Sequence, residues 1–94
     1  MITSFACRDT GILYHSERRP GWMPPQIRRR ALRRLDVLAA ATALIDLASP
    51  PSHRLERLRG DLAGKYAIRI NDQWRVVFGW DGEHAFDVAI VDYH

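Results

Sequence analysis

The feature that most constrains the fold is an alternation of apolar and polar residues on both sides of a polar turn in the last third of the chain. Such alternation predicts two β-strands joined as a hairpin. A three-residue loop would pair Ile70 with Trp74 and Ile68 with Val76, so both apolar sets would share one face. A two-residue loop would separate the two sets. We therefore expect an odd-length or bulged turn at Asn71-Asp72.

Three strands are predicted in this part of the chain, over residues 65–70, 73–80 and 85–93, with Asp81-Gly82 as the second turn. They would form an antiparallel meander. The alternation sends Arg69 and Arg75 to the side opposite the apolar set. This solvent-facing side is the candidate active face.

Arg75 has two interpretations. A guanidinium fixed in the middle of a strand offers a planar fork to a phosphate group. The alternative is a surface ion pair between Arg75 and Asp87 on the neighbouring strand. Because such pairs add little to stability, we favour the phosphate-binding interpretation.

The segments before the hairpin are predicted to be mainly helical. Residues 2–5 indicate a short edge strand. Asp9 or Thr10 could cap a helix that runs to about Glu17, with apolar contacts from Ile12 and Leu13. The prolines and the glycine of residues 18–25 indicate a loop.

A second, longer helix is expected from about Pro25 to Ser49-Pro50-Pro51. Three-to-four spacing predicts its buried stripe, which consists of Ile27, Ala31, Leu35, Leu38, Thr42 and Ile45. Residues 52–64 are expected to be irregular, attached to the core by Leu55 and Leu58. The fold class is α+β in one domain, residues 1–94. A small antiparallel sheet, with an N-terminal edge strand and a C-terminal three-strand meander, packs on one side against N-terminal helices.

Composition narrows the class of protein. A chain of 94 residues suits a single domain. Its single cysteine, Cys7, cannot form an internal disulfide, which fits a reducing compartment. Neither a membrane-spanning run nor a signal-peptide pattern is visible, so we expect a cytoplasmic location. One cysteine and four scattered histidines lack ligand spacing, so we expect no metal and no cofactor.

Positive charge is concentrated in the first part of the chain. Residues 1–34 carry eight arginines and two acids, a balance of +6, whereas residues 35–94 carry six basic residues and nine acids, a balance of −3. The base composition of the genome could explain why the chain uses arginine rather than lysine, but not why the arginines are clustered. Five arginines lie mainly on the polar faces of the long helix: Arg28, Arg29, Arg30, Arg33 and Arg34. They form either a solvated face or a surface for a polyanion such as ribosomal RNA.

Two further segments contain residues that could act as general acids or bases. Glu56 lies among Arg54, Arg57 and Arg59, so it could act as a base while Arg59 clamps a phosphate. A solvated basic loop is an equal alternative for this segment.

The chain ends in Asp92, Tyr93 and His94. His94 titrates near neutrality beside the terminal carboxylate, which suits a general acid. Strand alternation puts Tyr93 on the arginine side and Asp92 on the other. The alternative is an idle, frayed terminus. Metal-free cleavage of RNA needs a base, an acid and cations for the phosphorane, and these residues together could supply them.

Several motifs resemble those of the HigB-like plasmid-maintenance killer (host-inhibition-of-growth) toxins of the RelE/ParE superfamily. The motifs are Arg54-Leu55-Glu56, Arg59-Gly60-Asp61, Ala63-Gly64, Ile68 to Arg75 and Val91-Asp92-Tyr93-His94, together with the opening Met1 to Phe5. The resemblance covers essentially the whole chain. It implies a RelE/ParE-like sheet packed on one side by helices, and metal-independent cleavage of mRNA in the ribosomal A site. It also implies a helix-turn-helix (HigA-like) antitoxin, with operator DNA bound only through the antitoxin complex.

By position, the resemblance assigns functional roles to Arg59, Arg75, Asp92, Tyr93 and His94. Some ribonuclease members have His and Lys where this chain has Glu56 and Arg59. The basic residues expected to contact RNA or the ribosome are Arg28, Arg29, Arg30, Arg33, Arg34, Arg54, Arg57, Lys65 and Arg69.

Two other functions fit the same sequence. One is a toxin of the ParE branch, which would poison gyrase by binding and would not need the terminal tripeptide. The other is a non-catalytic module that binds RNA or the ribosome in a salt-sensitive way.

Overall fold

The computed structural model describes residues 1–92, so Tyr93 and His94 lie outside the described residues. Two α-helices precede a four-stranded sheet, and the expected α+β class is confirmed. The elements are α1 (Arg8–Ser16), α2 (Arg28–Ala40), β1 (Glu56–Arg57), β2 (Lys65–Arg69), β3 (Trp74–Trp80) and β4 (Ala85–Asp92). The strand order is β1-β2-β3-β4, and every neighbouring pair is antiparallel. Within residues 1–92, no helix is long and apolar enough to cross a membrane.

The predicted hairpin register is confirmed. Ile68 lies opposite Val76, and the Ile70 N–H donates to the Trp74 carbonyl at 2.9 Å. The Asn71 side-chain oxygen accepts hydrogen bonds from the N–H groups of Gln73 at 2.9 Å and Trp74 at 2.8 Å. This side chain closes the three-residue loop, which is the kind of local bond that favours asparagine in turns.

The main core lies between the two helices and one face of the sheet. Its largest fully buried members include Phe78, Leu13, Leu35, Ile68 and Val76. Alternation along β2 and β3 directs Ile68, Val76 and Phe78 to the helices, as the sequence predicts.

Thr10 protects the outer edge of β4. It is fully buried in α1, and its hydroxyl accepts a hydrogen bond from the Ile90 N–H at 3.1 Å. The prediction that Thr10 or Asp9 caps α1 is wrong, because this hydroxyl serves the strand. The helix begins earlier, at Arg8, after Cys7 in an extended conformation.

The predicted N-terminal edge strand is reduced to two isolated bridges. Ile2 pairs with Ala85 and Phe5 with Val88, both in parallel orientation, so the antiparallel arrangement expected for this segment is wrong. Between the two bridges β4 bulges at Asp87, whose φ is 50°, and its N–H donates to the Ser4 hydroxyl at 2.8 Å. The bulge breaks the ladder that a regular strand would need.

The long helix ends well before the predicted stop. Ile27, Ala31, Leu35 and Leu38 are buried as expected, but the prediction is wrong for the last two members of the stripe, Thr42 and Ile45, which are exposed.

The early end of α2 has a local cause. The Asp46 carboxylate accepts from the N–H groups of Thr42 at 3.2 Å and Ala43 at 3.1 Å. Side-chain bonds of this kind compete with continued helix. A 3₁₀ turn, Leu44–Ala48, follows and buries Leu47 in place of Ile45.

The segment predicted to be irregular contains β1 and two short 3₁₀ turns, Pro51–His53 and Gly60–Leu62. Leu55 is half-buried against the main core, as expected. The prediction is wrong for Leu58, which is buried in a separate cluster with Ala67 and Val77. The β1 strand was not predicted, because its two residues are too few to show a period.

Candidate functional site

The sheet face turned away from the helices is called here the open face. Its side chains come from alternate positions: Glu56 and Leu58 near β1, Lys65, Ala67 and Arg69 on β2, Arg75, Val77 and Gly79 on β3, and Val91 on β4. Arg69 lies directly opposite Arg75, which in turn lies opposite Val91. The prediction that the two arginines share one side is confirmed.

The centre of the open face is apolar. Ala67, Val77 and Leu58 are buried in a small second cluster, against which Val91 packs. The sequence predicted a solvent-facing side throughout, and this is wrong at the centre, because the chain beyond β1 carries Leu58 onto the sheet. Charged side chains therefore surround an apolar floor on this face.

Arg75 is half-buried and bent towards the hairpin turn. Its guanidinium donates to the Asn71 carbonyl and, at 3.1 Å, to the Trp74 carbonyl. These two bonds hold the guanidinium at the hairpin turn.

Arg69 and Asp72 form an ion pair at the same turn. The hydrogen bond and the charge of the Arg69 guanidinium lower the pKa of the Asp72 carboxyl. Asp87, the alternative partner weighed for Arg75, lies 3.7 Å from the Lys65 ammonium instead.

The β1 edge forms an open depression of about 550 Å³, lined by Glu56, Arg57, Leu58 and Arg59. Glu56 lies opposite Ala67 and so shares the open face with Arg75. Two strand spacings and two residues of rise put the Cα atoms of Glu56 and Arg75 roughly 12 Å apart. Arg57 alternates to the other side, where its guanidinium lies 5.9 Å from the centre of the Tyr66 ring.

Asp92 lies opposite Trp74, so the register directs it to the helix-facing side of the sheet, as predicted. It is exposed, and its carboxylate accepts a hydrogen bond from the Gln73 amide at 3.0 Å. No sequence pattern pointed to this role of Gln73. The predicted site residues Tyr93 and His94 lie outside the described residues.

The arginines of α2 fall into two groups. Arg28, Arg30 and Arg34 donate to main-chain carbonyls, those of Glu17 at 2.7 Å, Ile70 at 3.3 Å and Arg69 at 2.8 Å respectively. Arg29 and Arg33 are exposed. Burial, followed by the charges of Arg30, Arg69 and Arg33, lowers the pKa of Arg34. The arginines of α2 and of the end of β2 thus form one positively charged region.

Within residues 1–92, no group of three His, Cys, Asp or Glu side chains is placed to hold a metal ion. The arrangement offers guanidinium groups and a carboxylate around an open sheet face. Such groups can bind a phosphodiester and move a proton.

Comparison with known proteins identifies the family. Residues 4–94 match the family described as the RelE-like toxin of type II toxin-antitoxin system HigB. The chain belongs to this family. The resemblance drawn from the sequence motifs is therefore confirmed, and the chain is a HigB-like toxin of a type II toxin–antitoxin system.

Two relatives share sequence with the toxin. Toxin HigB-1 of Vibrio cholerae serotype O1 is 40% identical over 67 residues, which cover 71% of the toxin and 70% of the relative. An uncharacterized protein of Haemophilus influenzae is 32% identical over 59 residues, which cover 63% of the toxin and 58% of that protein.

Two solved structures share the fold. The YoeB-YefM complex from Staphylococcus aureus aligns with a TM-score of 0.62 at 21% identity, covering 100% of the toxin and 95% of that chain. The YoeB dimer from the same organism gives a TM-score of 0.52 at 21% identity, covering 99% and 94%.

Proposed function

We propose that the toxin is a ribosome-dependent, metal-independent endoribonuclease that cleaves mRNA during translation and so inhibits growth. The observation that carries the proposal is the open face, where Arg69 and Arg75 lie opposite each other and Glu56 lies on the same side of the sheet. Membership of the HigB-like toxin family supports it.

Arg75 is proposed to bind the phosphate at the cleavage point. Main-chain carbonyls hold its guanidinium at the turn, which limits the rotamer freedom lost when a phosphate binds. Arg59, beside Glu56 in the β1 depression, would be the second cation. Fixed cations are worth most in the transition state, where charge builds up on the phosphorane.

Three residues are proposed to transfer protons: Glu56, Tyr93 and His94. Glu56 or Tyr93 would accept the proton of the ribose 2′-hydroxyl, and His94 would protonate the leaving 5′-oxygen. Asp92 would orient the terminus, with its own carboxylate held by Gln73. The roles of Tyr93 and His94 rest on the resemblance to the family.

The proposed partners are an antitoxin, the ribosome and mRNA. A type II family implies a cognate antitoxin, for which we propose a helix-turn-helix (HigA-like) protein. Operator DNA would be bound only through that complex, in the cytoplasm. The exposed Arg29 and Arg33 are the α2 side chains best placed to contact ribosomal RNA.

Induced expression tests the function. The wild-type toxin should arrest growth and produce internal mRNA breaks within translated codons, which primer extension detects. Arg75→Ala should lose both effects while remaining folded. Arg8→Ala is the matched control, because Arg8 is exposed on the first turn of α1, apart from the open face.

Two outcomes would overturn the proposal. Growth arrest accompanied by DNA damage and intact transcripts would indicate a gyrase poison. Ribosome association without any cleavage would indicate a binding module.

A further inference from the structure

Trp22 is a large aromatic side chain that is not buried in the core. Its exposed fraction is 40%, although it lies in a short loop between two helical elements. One side of the indole stacks on Trp74, with ring centres 5.5 Å apart and planes inclined by 26°.

The indole is held in place from two directions. Its Nε1–H donates to the Asp9 carboxylate at 2.7 Å, and Trp74 supports it from the sheet side. The loop beneath it is also fixed, because the Arg19 guanidinium donates to the Met23 carbonyl at 2.5 Å. A ring held in this way loses little conformational freedom when a ligand stacks on it.

Positive charge collects around the same end of the sheet. Trp74 is the partner of Ile70, whose carbonyl accepts from Arg30, and Arg34 donates to the neighbouring Arg69 carbonyl. Arg75 also turns its guanidinium to this end, at the Asn71 carbonyl.

The carboxylates nearby are engaged with neighbouring donors. Asp9 accepts from Trp22, Asp72 pairs with Arg69, and Asp92 accepts from Gln73. The hairpin end thus combines an exposed aromatic ring with several guanidinium groups.

We infer that Trp22 is a stacking platform for an unpaired base of the RNA strand that reaches the open face. Aromatic rings set among guanidinium groups are the usual binding surface for single-stranded nucleic acid. Trp74 and Arg75 are adjacent but point to opposite sides of β3. An RNA strand with a phosphate bound at Arg75 would therefore pass round the hairpin turn. A base a few nucleotides along that RNA would reach Trp22. The inference rests on the proposed function, because it assumes an RNA substrate.

The charge favours RNA over a protein partner for this ring. A protein hot spot is normally enclosed by an apolar rim that excludes water. Here Asp9 holds the edge of the ring, and Arg30, Arg34 and Arg75 bind carbonyls at the same hairpin end, where guanidinium groups match phosphates.

Equilibrium binding to a labelled, single-stranded RNA with 2′-O-methyl riboses tests the inference without cleavage. Trp22→Leu should weaken binding roughly 5- to 100-fold, the range that loss of one stacked base gives. Trp22→Phe keeps a ring on Trp74 and should retain most of the affinity. Ile45→Ala is the control, since Ile45 is a more exposed apolar side chain, 74%, on a different element.

Photocrosslinking provides a measurement on the unaltered chain, in case Trp22→Leu fails to fold. A 4-thiouridine-containing strand should crosslink to the tryptic peptide of residues 19–28, whose sole tryptophan is Trp22. Crosslinks confined to other peptides would overturn the inference.

The outcomes separate this inference from the proposed function. Full RNA affinity in Trp22→Leu, together with normal mRNA cleavage, would refute the stacking role and leave the ribonuclease intact. Loss of antitoxin binding with unchanged RNA binding would show a protein contact and would also refute it. A wild-type toxin that neither binds nor cleaves RNA would overturn both.

Discussion

The two faces of the β2–β3 hairpin differ in what their side chains contact. On the helix-facing side, Ile68, Val76 and Phe78 are fully buried in the main core. On the open face, Arg69 and Arg75 are half-buried at the edge of a small apolar floor. Neighbouring residues of one strand therefore belong to two different environments.

We expect this difference to separate stability from the proposed function along a single strand. Burial of apolar side chains supplies most of the folding free energy, so the helix-facing positions should govern unfolding. Charged side chains at the edge of the open face should contribute little to folding. Substitutions at adjacent positions of β3 should thus change different measurements.

The largest effect on folding is expected at the centre of the main core. Phe78→Ala should lower the free energy of unfolding by about 3–5 kcal/mol, because it removes a fully buried ring and leaves a cavity. Urea denaturation followed by circular dichroism measures the loss. Ile45→Ala, at an exposed site, should stay within about 0.5 kcal/mol of wild type. A similar loss in both variants would contradict the division between the faces.

A smaller loss is expected where α1 meets the edge of β4. Thr10→Val leaves the buried Ile90 N–H without its acceptor, which should cost about 1–3 kcal/mol. The urea midpoint is the measurement, and Thr42→Val, at an exposed threonine, is the control. Equal midpoints for Thr10→Val and wild type would show that the strand edge needs no protection.

The free energy of unfolding should depend on pH through the titration of His53. Burial and the charge of Arg34 lower the pKa of this imidazole, whose Nδ1 lies 3.3 Å from the Leu47 carbonyl. The carbonyl can only accept, so Nδ1 carries the proton of the neutral ring. The unfolded chain therefore binds an additional proton once the pH falls below about 6.5.

Stability should decrease from about pH 7 downward, by at most about 1.4 kcal/mol per pH unit. His53→Gln should flatten the profile of urea midpoints in this range. The lowered pKa of Asp72 acts in the same direction but at lower pH: its contribution is present above the unfolded-state value near 3.8 and is lost only in stronger acid. A wild-type profile as flat as that of His53→Gln would contradict the assignment.

The smallest effect is expected for an ion pair on the open face. Lys65→Met removes the partner of Asp87 and should change the free energy of unfolding by about 1 kcal/mol or less. If Lys65 also contacts RNA, the same variant should lower the salt dependence of RNA binding. A large loss of stability would mean that the open face contributes to folding as the helix-facing side does.

The hairpin was the most predictable part of the fold. Its register followed from strict alternation and from the length of the loop, and both are local properties. The shared face of Arg69 and Arg75 followed from the same parity, so these two side chains could be assigned to one side of the sheet from the sequence.

The rest depended on contacts between distant segments. Asp46 ends α2 by a side-chain bond that competes with a good helical pattern, and β1 exists only because Glu56 and Arg57 find a partner in β2. The buried centre of the open face depends on Leu58, whose sequence context shows no period. The Trp22–Trp74 stack joins a loop to a strand and leaves no trace in local spacing.

The central claim is that Arg75 on the open face stabilises the transition state of RNA cleavage. The most direct test is the single-turnover rate of mRNA cleavage on programmed ribosomes for wild type, Arg75→Ala and Arg8→Ala. We expect Arg75→Ala to be roughly 10²- to 10³-fold slower, with an unfolding free energy close to that of wild type, and Arg8→Ala to keep the full rate. A folded Arg75→Ala protein that cleaves at the wild-type rate would contradict the claim.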